Sequence, residues 1–326
     1  MAASLVIALP SKGRIQEECN AFFYRAGLAV SKASARDYTG RLAGVADAEV
    51  VFLSASEIPA ALDSGTAHLG VTGEDVIRER TVNPDETISL LMPLGFGRAD
   101  LVVAVPRAWI DVSTMADLEE VAGTIRARHH RHLRIATKYI RLTRQFFASH
   151  GLADYRIVES AGATEGAPAS GQADIIVDIT TTGATLAANN LKVLGDGVIL
   201  KSEAQLAASL KADWSVQARA ALGQVLDMVA ASEAARNNVV LRFAVTGDPA
   251  ALAKTLKQDL PHTEFKAGLP GSEQALYCAV DEVYRAVRAL RAGGVSGPVR
   301  SAQADYIFAE NNAVLDTLLA RLEAKG

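Results

Sequence analysis

The chain has 326 residues, 49% of them apolar and 21% charged, and its net charge is −4. Because one hydrophobic core rarely organises so many residues, we expect a globular protein with two or three domains. The net charge gives no general reason to expect a nucleic acid partner, and no stretch approaches the roughly 18 consecutive apolar residues of a membrane span.

The N-terminus has no charged leader, and its apolar run at residues 5–10 is shorter than the roughly 7–15 residues of a signal-peptide core. The two cysteines, Cys19 and Cys278, lie far apart in sequence and do not make a disulfide framework. We therefore expect a cytoplasmic protein.

Short apolar runs alternate with helical patterns in the first two thirds of the chain. Strands are predicted over residues 5–10, 48–54, 68–73, 100–106, 133–138, 155–160 and 173–179. Helices are predicted over residues 15–28, 57–65 and 142–151, with a glycine at or near the end of each. This alternation predicts an α/β fold with mostly parallel sheet.

Beyond about residue 225 the order of elements changes. The sequence predicts a strand at 239–246, a helix at 249–260 that starts at Asp248, a hairpin with PGSE at its turn, a helix at 282–294 and a strand within 298–308. This βαββαβ order describes a ferredoxin-like α+β module. A last helix at 309–325 carries an apolar stripe formed by Val314, Leu315, Leu318, Leu319 and Leu322.

These patterns predict two lobes and a C-terminal domain. We expect a discontinuous first lobe from residues 1–104 with 186–222, and a second lobe from residues 105–185. The C-terminal ferredoxin-like domain would comprise residues 223–326. The break in pattern near residues 106–117 favours a passage between lobes there.

The most informative segment is ADIIVDITTTGATLAANN, residues 173–190, in which a buried strand runs into Asp178 and then into a threonine-rich turn. In parallel α/β sheets, ligands bind beyond the carboxyl ends of strands. Threonine hydroxyls, a glycine that allows close backbone approach and a helix starting near Leu186 suit a phosphate monoester. Asp178 would then accept hydrogen bonds from vicinal sugar hydroxyls, which indicates a ribose 5-phosphate group. The alternative is a threonine-rich turn that only caps a helix.

At this segment the sequence resembles the ATP phosphoribosyltransferases, which begin histidine biosynthesis. Ten residues lie at the spacing of that family's signature: Glu165, Gly171, Ala173, Ile176, Asp178, Ile179, Thr182, Gly183, Thr185 and Leu186. The resemblance spans roughly residues 4–210 and includes the motifs LPSKGR, SGTAHLGVTGEDV, LGFGRADLVVAVP and RIATKY.

This resemblance implies a two-lobed catalytic part similar to periplasmic binding proteins, with the active site in the cleft between the lobes. It implies that the phosphoribosyl group of phosphoribosyl pyrophosphate (PRPP) is transferred to N1 of the adenine of ATP, with release of pyrophosphate. Mg²⁺ is the implied cofactor, and no residue of the chain is expected to act as a metal ligand.

The resemblance also implies roles for individual residues. PRPP would be bound by Asp178, Thr181, Thr182, Gly183, Ala184 and Thr185. ATP would be bound by Lys12, Gly13, Arg14, Asp75, Arg98, Lys138 and Tyr139. Catalysis would depend on Asp178, Glu165, Lys12 and Arg14.

By themselves the residues leave alternatives open. Lys12 and Arg14 follow a strand and suit phosphate oxygens, but such cations are usually only solvated. Asp75 either accepts hydrogen bonds from an amine or a ribose, or caps the helix that begins there. Arg98 lies in the GFGR segment, which is either a hinge turn or a phosphate contact, and Tyr139 offers an aromatic face to a base.

The arginine- and histidine-rich segment 126–134 has no recognised zinc spacing, and we assign it no site. For the C-terminal domain the resemblance implies feedback inhibition by histidine, and the alternative is a module that only forms the oligomer. A homo-oligomer, either a dimer or a hexamer, is expected, although some shorter relatives need a second regulatory subunit.

The rival function is a binding protein that closes on a phosphate ester without chemistry. Such proteins are usually exported, and the lack of a signal peptide argues against this alternative.

Overall fold

The structure is a computed structural model that describes residues 4–32, 38–160, 162–245, 248–260, 263–266 and 272–324. The elements up to residue 93 are β1 (Leu5–Pro10), α1 (Arg14–Arg25), β2 (Val30–Ser31), β3 (Thr39–Leu42), β4 (Ala48–Leu53), α2 (Ile58–Ser64), β5 (Leu69–Gly73), α3 (Glu74–Arg80), α4 (Pro84–Thr87) and β6 (Ile88–Pro93). The next are β7 (Ala99–Pro106), α5 (Met115–His129), β8 (Leu133–Thr137), α6 (Ile140–Ser149), β9 (Tyr155–Glu159), β10 (Ile175–Thr180), α7 (Ala184–Ala188), β11 (Leu191–Ser202) and β12 (Ala204–Ser209). The last are α8 (Val216–Asn237), β13 (Asn238–Ala244), α9 (Pro249–Asp259), β14 (Glu264–Lys266), β15 (Glu273–Ala279), α10 (Val283–Ala292), β16 (Arg300–Ala302) and α11 (Ala313–Glu323).

The first lobe centres on β1, which lies between β4 and β5 and runs parallel to both. Its sheet has the order β2-β3-β4-β1-β5-β12-β6. Buried side chains such as Leu5, Phe23 and Leu69 fill the core, and burial of an apolar side chain of this size contributes about 1.5–3 kcal/mol. Because β1, β4 and β5 are parallel neighbours, their carboxyl ends meet at one edge of the sheet.

The second lobe contains a sheet in the order β11-β7-β10-β8-β9. β8 runs parallel to β9 and β10, whereas β7 runs antiparallel to β10 and β11. In the first lobe β12 is likewise antiparallel to β5 and β6. The prediction of mostly parallel sheet thus holds for β4-β1-β5 in the first lobe and for β10-β8-β9 in the second. The strands next to the connections between the lobes pair antiparallel, and so do β2 with β3 and β3 with β4 at the edge of the first sheet.

The arginine- and histidine-rich segment supports the second lobe. Arg131 Nη1 and Arg134 Nη2 donate to the Asp174 carboxylate at 2.6 and 3.0 Å, and the Arg134 backbone N–H donates to it at 2.8 Å. Burial by itself would raise the pKa of Asp174, but these hydrogen bonds outweigh it and lower the pKa below its ordinary value. The segment therefore fastens β8 to the residue just before β10.

Two segments connect the lobes, residues 94–98 and residue 203, and they lie side by side. Leu94 N–H donates to the Ala204 carbonyl at 2.9 Å, and Ala204 N–H donates to the Phe96 carbonyl at 3.0 Å. The predicted boundaries at 104/105 and 185/186 fall inside β7 and α7, both of which belong to the second lobe. The boundaries between the lobes lie instead within residues 94–98 and at residue 203. In the first of these segments the chain changes direction at Gly95 and Gly97, whose φ values are 74° and 64°.

The C-terminal sheet has the order β14-β15-β13-β16, and all of its neighbouring strands are antiparallel. Helices α9 and α10 pack on one face around Phe243, Leu256 and Leu276. This arrangement confirms the ferredoxin-like βαββαβ prediction. The Asp248 side chain caps α9 as expected, by accepting from Ala250 N–H at 2.9 Å. Part of the predicted PGSE turn lies outside the described residues.

Helices α8 and α11 belong to the first lobe, which corrects the predicted domain 223–326. Val225, Leu226 and Val229 of α8 and Leu318 and Leu322 of α11 are buried in the core of that lobe. The ferredoxin-like unit therefore begins at β13 and ends at β16. The chain then returns to the first lobe, as its last apolar stripe requires. In the described part of the chain, no helix combines the length and apolar character needed to cross a bilayer.

Candidate active site

A cavity of about 270 Å³ opens beyond the carboxyl end of β10. Its lining residues are Ala99, Glu165, Asp178, Ile179, Thr180, Thr181, Thr182, Ala184, Thr185 and Leu186. The structure thus brings the two predicted catalytic carboxylates and the threonine loop, residues 180–185, into one cavity. Glu165 reaches it from a 3-10 turn, Thr164–Gly166.

The threonine loop is held by its own first side chain. Thr180 Oγ1 accepts a hydrogen bond from Gly183 N–H at 2.9 Å, and Gly183 has a φ of 75°. Thr182 and Thr185 remain exposed, so their hydroxyls are accessible to a ligand. The helix predicted from Leu186 onward is only the short α7, because the chain turns at Asn190 with a φ of 56° and then forms β11. Because α7 has only five residues, the site offers exposed hydroxyl groups and at most a weak helix dipole.

Asp178 is half-buried at the mouth of the cavity, and its Oδ1 accepts a hydrogen bond from Ile179 N–H at 2.8 Å. Burial raises the pKa of Asp178 above its ordinary value, and the charge of Glu165 also raises it. The Ile179 N–H, the charge of Lys138 and the Thr164 hydroxyl act in the opposite direction without cancelling the effect. Glu165 and Lys138 are thus both close enough to Asp178 to act on its charge.

Arg98 joins the threonine loop to the connection between the lobes. Thr181 Oγ1 donates to the Arg98 carbonyl at 3.3 Å, and Arg98 Nε lies 3.5 Å from Glu203 Oε2. The Arg98 side chain is 75% exposed, so it is free to turn toward a bound anion. GFGR therefore lies in the connection between the lobes and places an arginine beside the threonine loop.

Lys12, Gly13 and Arg14 follow β1 at the carboxyl edge of the first-lobe sheet, and they do not line the cavity. Lys12 is exposed, and Arg14 is 74% exposed with its Nε 3.5 Å from Glu18 Oε1. Gly13 has a φ of 80° just before α1. An exposed cationic turn at this edge suits a ligand that spans the cleft from the other lobe.

Asp75 and Tyr139 are placed differently from the prediction. Tyr139 is 5% exposed, and its hydroxyl donates to Asp75 Oδ2 at 2.7 Å. Ser202 Oγ donates to Asp75 Oδ1 at 2.7 Å, and Asp75 N–H donates back to that hydroxyl at 3.0 Å. Asp75 therefore does not cap its own helix with its side chain, and the buried Tyr139 ring does not present a face for a base to stack on. Lys138, between β8 and Tyr139, is exposed.

Sequence reasoning missed Ser202 and Glu79 as partners in this region. Glu79 lies four residues after Asp75 on α3, and its carboxylate accepts from the backbone N–H groups of Arg141 and Leu142 at 3.0 Å each. The spacing of two acids four apart on a helix was available in the sequence, but their partners come from the other lobe. No signal in the sequence points to Ser202.

Comparisons with known proteins identify the family. The sequence model of the HisG family, described as ATP phosphoribosyltransferase, matches residues 54–231. The chain is 52% identical over 320 residues to the ATP phosphoribosyltransferase of Nitrobacter winogradskyi, covering 98% of each chain. It is 51% identical over 327 residues to that of Bradyrhizobium diazoefficiens, covering 99% of each.

A solved structure supports the fold. The ATP phosphoribosyl transferase (HisG:HisZ) complex from Thermotoga maritima contains a chain that is 24% identical, with a TM-score of 0.53. The match covers 69% of this chain and 95% of that one. Because the sequence relatives match at half identity over nearly their whole length, this chain belongs to the ATP phosphoribosyltransferase family.

Proposed function

We propose that PRPP binds on the threonine loop, that ATP binds across the cleft, and that N1 of the adenine displaces pyrophosphate from the anomeric carbon. The product is phosphoribosyl-ATP, and the reaction is the first step of histidine biosynthesis. The observation that carries the proposal is the cavity beyond β10, in which the threonine loop, Asp178 and Glu165 meet.

The threonine loop suits the 5-phosphate of PRPP. The hydroxyls of Thr181, Thr182 and Thr185 are exposed, and Gly183 and Ala184 allow a phosphate to approach the backbone. Hydrogen bonds to a charged phosphate contribute more than neutral ones, about 1.5–3 kcal/mol each. Asp178 lies next to this loop and would accept hydrogen bonds from the ribose hydroxyls.

ATP and the pyrophosphate of PRPP carry most of the negative charge. We assign their binding to the exposed basic groups Lys12, Arg14, Arg98 and Lys138, with Gly13 allowing close approach beside the first two. We do not assign a direct ATP contact to Asp75 or Tyr139. Both oxygens of Asp75 are already occupied within the protein, and Tyr139 is buried.

The reaction needs little acid–base chemistry. A bond forms between adenine N1 and the anomeric carbon while the bond from that carbon to the pyrophosphate oxygen breaks, so positive charge develops on the ribose. Asp178, and Glu165 beside it, stabilise this charge more in the transition state than in the neutral ground state. Lys12 and Arg14 offset the negative charge that grows on the leaving pyrophosphate. Positioning of the two substrates supplies much of the remaining rate.

Mg²⁺ suits this site as an ion that enters with PRPP. It prefers oxygen ligands, and we propose that the substrate phosphates supply them, while Asp178 and Glu165 face the ribose. When bound, it would neutralise part of the pyrophosphate charge.

Release of pyrophosphate on mixing the protein with ATP, PRPP and Mg²⁺ tests the proposal. We expect release only when both substrates are present. A protein that binds PRPP but releases no pyrophosphate would support the rival function, a binding protein without chemistry.

The remaining proposals concern regulation and cellular location. We infer that the ferredoxin-like unit mediates inhibition by histidine in a homo-oligomer. Histidine titration of pyrophosphate release by the full chain tests this, with an oligomer-forming module as the alternative. Truncation at residue 220 is unsuitable, since it removes core residues such as Val225 and Leu318.

We also infer a cytoplasmic location, because both cysteines are free thiols.

A further inference from the structure

Helix α3 carries two acids, Asp75 and Glu79, one helical turn apart. Both reach across to the second lobe and contact the turn between β8 and α6. Neither lines the cavity in which the threonine loop lies. Their contacts are therefore separate from the proposed binding of PRPP.

Glu79 acts as the N-terminal cap of α6 from the other lobe. Its Oε1 accepts from Arg141 N–H and its Oε2 from Leu142 N–H, each at 3.0 Å, and α6 has no side-chain cap from its own preceding residue. Arg141 Nε also donates to the Glu79 carbonyl at 3.2 Å. A carboxylate in this position accepts from the free N–H groups of the first turn, and its negative charge suits a helix N-terminus. Contact between the lobes thus completes the first turn of α6.

Asp75 anchors the residue just before α6. Its carboxylate accepts from Tyr139 and from Ser202, which ends β11 beside the connection between the lobes. The burial of Tyr139, together with the nearby charge of Asp75, raises the pKa of its hydroxyl, which therefore stays a hydrogen-bond donor. The two acids together hold residues 139, 141 and 142.

Lys138 is the exposed residue next to this anchored stretch. β8 and β10 are parallel neighbours, with Ala136 opposite Ile176. Two residues further on, Lys138 directly follows the end of β8, and Asp178 lies near the carboxyl end of β10. We propose that Asp75 and Glu79 are positioning residues, which hold Lys138 at the mouth of the cleft facing Asp178 while the lobes are in contact.

This inference rests on the proposed function and extends it to two residues that touch no substrate. It links contact between the lobes to catalysis, because Lys138 is placed for the polyphosphate of ATP only when α3 meets the β8–α6 turn. Loss of either contact should therefore affect the use of ATP more than that of PRPP.

The test compares Tyr139→Phe and Glu79→Gln, each alone and in a Lys138→Met background. Each single change should lower kcat/KM for ATP about tenfold, the effect of roughly one lost hydrogen bond to a charged group, with KM for PRPP unchanged within about twofold. In the Lys138→Met background each change should cost less than about twofold, because the group being positioned is gone.

Matched controls are Tyr284→Phe, at a tyrosine that is 76% exposed, and Glu120→Gln, at an exposed glutamate of α5. Neither should change kcat/KM. A full tenfold loss in the Lys138→Met background, an equal loss for PRPP, or unchanged kinetics in both single variants would overturn the inference. Wild-type protein is assayed first. If it releases no pyrophosphate, the proposed function fails, and this inference fails with it. If the wild-type protein releases pyrophosphate and both single variants keep its kinetics, this inference is refuted and the proposed function stands.

Discussion

Among single residues, Asp178 is the one on which the proposed chemistry depends most. Asparagine keeps the size of the side chain but removes the charge that stabilises a developing cation on the ribose. We expect Asp178→Asn to lower kcat about 10²–10³-fold, while Kd for ATP in a calorimetric titration changes less than about twofold. Loss of ATP binding as large as the loss of turnover would contradict this role.

The same substitution should stabilise the fold, and the gain should depend on pH. Burial raises the folded-state pKa of Asp178 above the unfolded value, so the native state holds the proton more tightly. The cost of ionisation is absent below the unfolded pKa and fully present above the folded pKa. The Tm of Asp178→Asn should therefore equal that of wild type near pH 3, below the unfolded pKa, and exceed it at pH 8. Asp111→Asn, at an exposed aspartate, should show no such divergence.

The threonine hydroxyls give a second test at this scale. Replacing Thr182 and Thr185 together by valine removes two exposed hydroxyls of the loop and keeps the branched shape of both side chains. We expect KM for PRPP to rise about tenfold or more, because hydrogen bonds to a charged phosphate are lost. Thr124→Val, at an exposed position of α5, is the control. An unchanged KM for PRPP in the double variant would remove the phosphate-binding role of the loop.

At the scale of elements, the conformation of the threonine loop is what shapes the site. Gly183 has a φ of 75°, and a Cβ added there would meet nothing within 4 Å. Gly183→Ala therefore tests backbone strain without a steric clash, and should destabilise the protein by about 1 kcal/mol and raise KM for PRPP.

Gly123 is the matched control, since a Cβ there also meets nothing within 4 Å but the residue lies inside helix α5. Gly123→Ala should stabilise the protein by about 0.5–1 kcal/mol and leave KM for PRPP unchanged. Thermal unfolding and initial rates measure both variants. Equal effects of the two substitutions would show that the left-handed turn at Gly183 does not matter for PRPP.

Local sequence patterns explain which strands and helices could be predicted from the sequence and which could not. The apolar run before Asp178 and the βαββαβ order each carry a local period, so β10 and the ferredoxin-like unit were predictable. β12 was missed because AQLAAS is short and rich in alanine, and its strand character comes from pairing with β5 and β6. Asp75 and Tyr139 were assigned to ATP from their motifs, but their mutual hydrogen bond joins residues from two lobes. No local pattern encodes a contact at that separation.

For the whole molecule, the main consequence of the fold is that the chain leaves the first lobe after α8 and returns to it. Ile307 N–H donates to the Ala231 carbonyl at 3.0 Å, and Asn312 Nδ2 donates to Asp227 at 2.9 Å. The ferredoxin-like unit is thus attached at both of its ends to α8. A ligand that moves this unit would act on the catalytic part through two attachments, which suits a regulatory role.

Because the chain returns to the first lobe as α11, the stability of that lobe should depend on the side chains of α11. Leu318 of α11 is fully buried in the first-lobe core, so Leu318→Ala should lower the free energy of unfolding by about 2–5 kcal/mol. PRPP stabilises the part of the protein that binds it, so the thermal transition that PRPP raises belongs to the catalytic part. Leu318→Ala should lower the Tm of that transition, whereas Thr317→Ala, at an exposed neighbour, should change it little. If α11 belonged to the ferredoxin-like unit alone, the PRPP-sensitive transition would stay in place, and calorimetry with and without PRPP distinguishes the two.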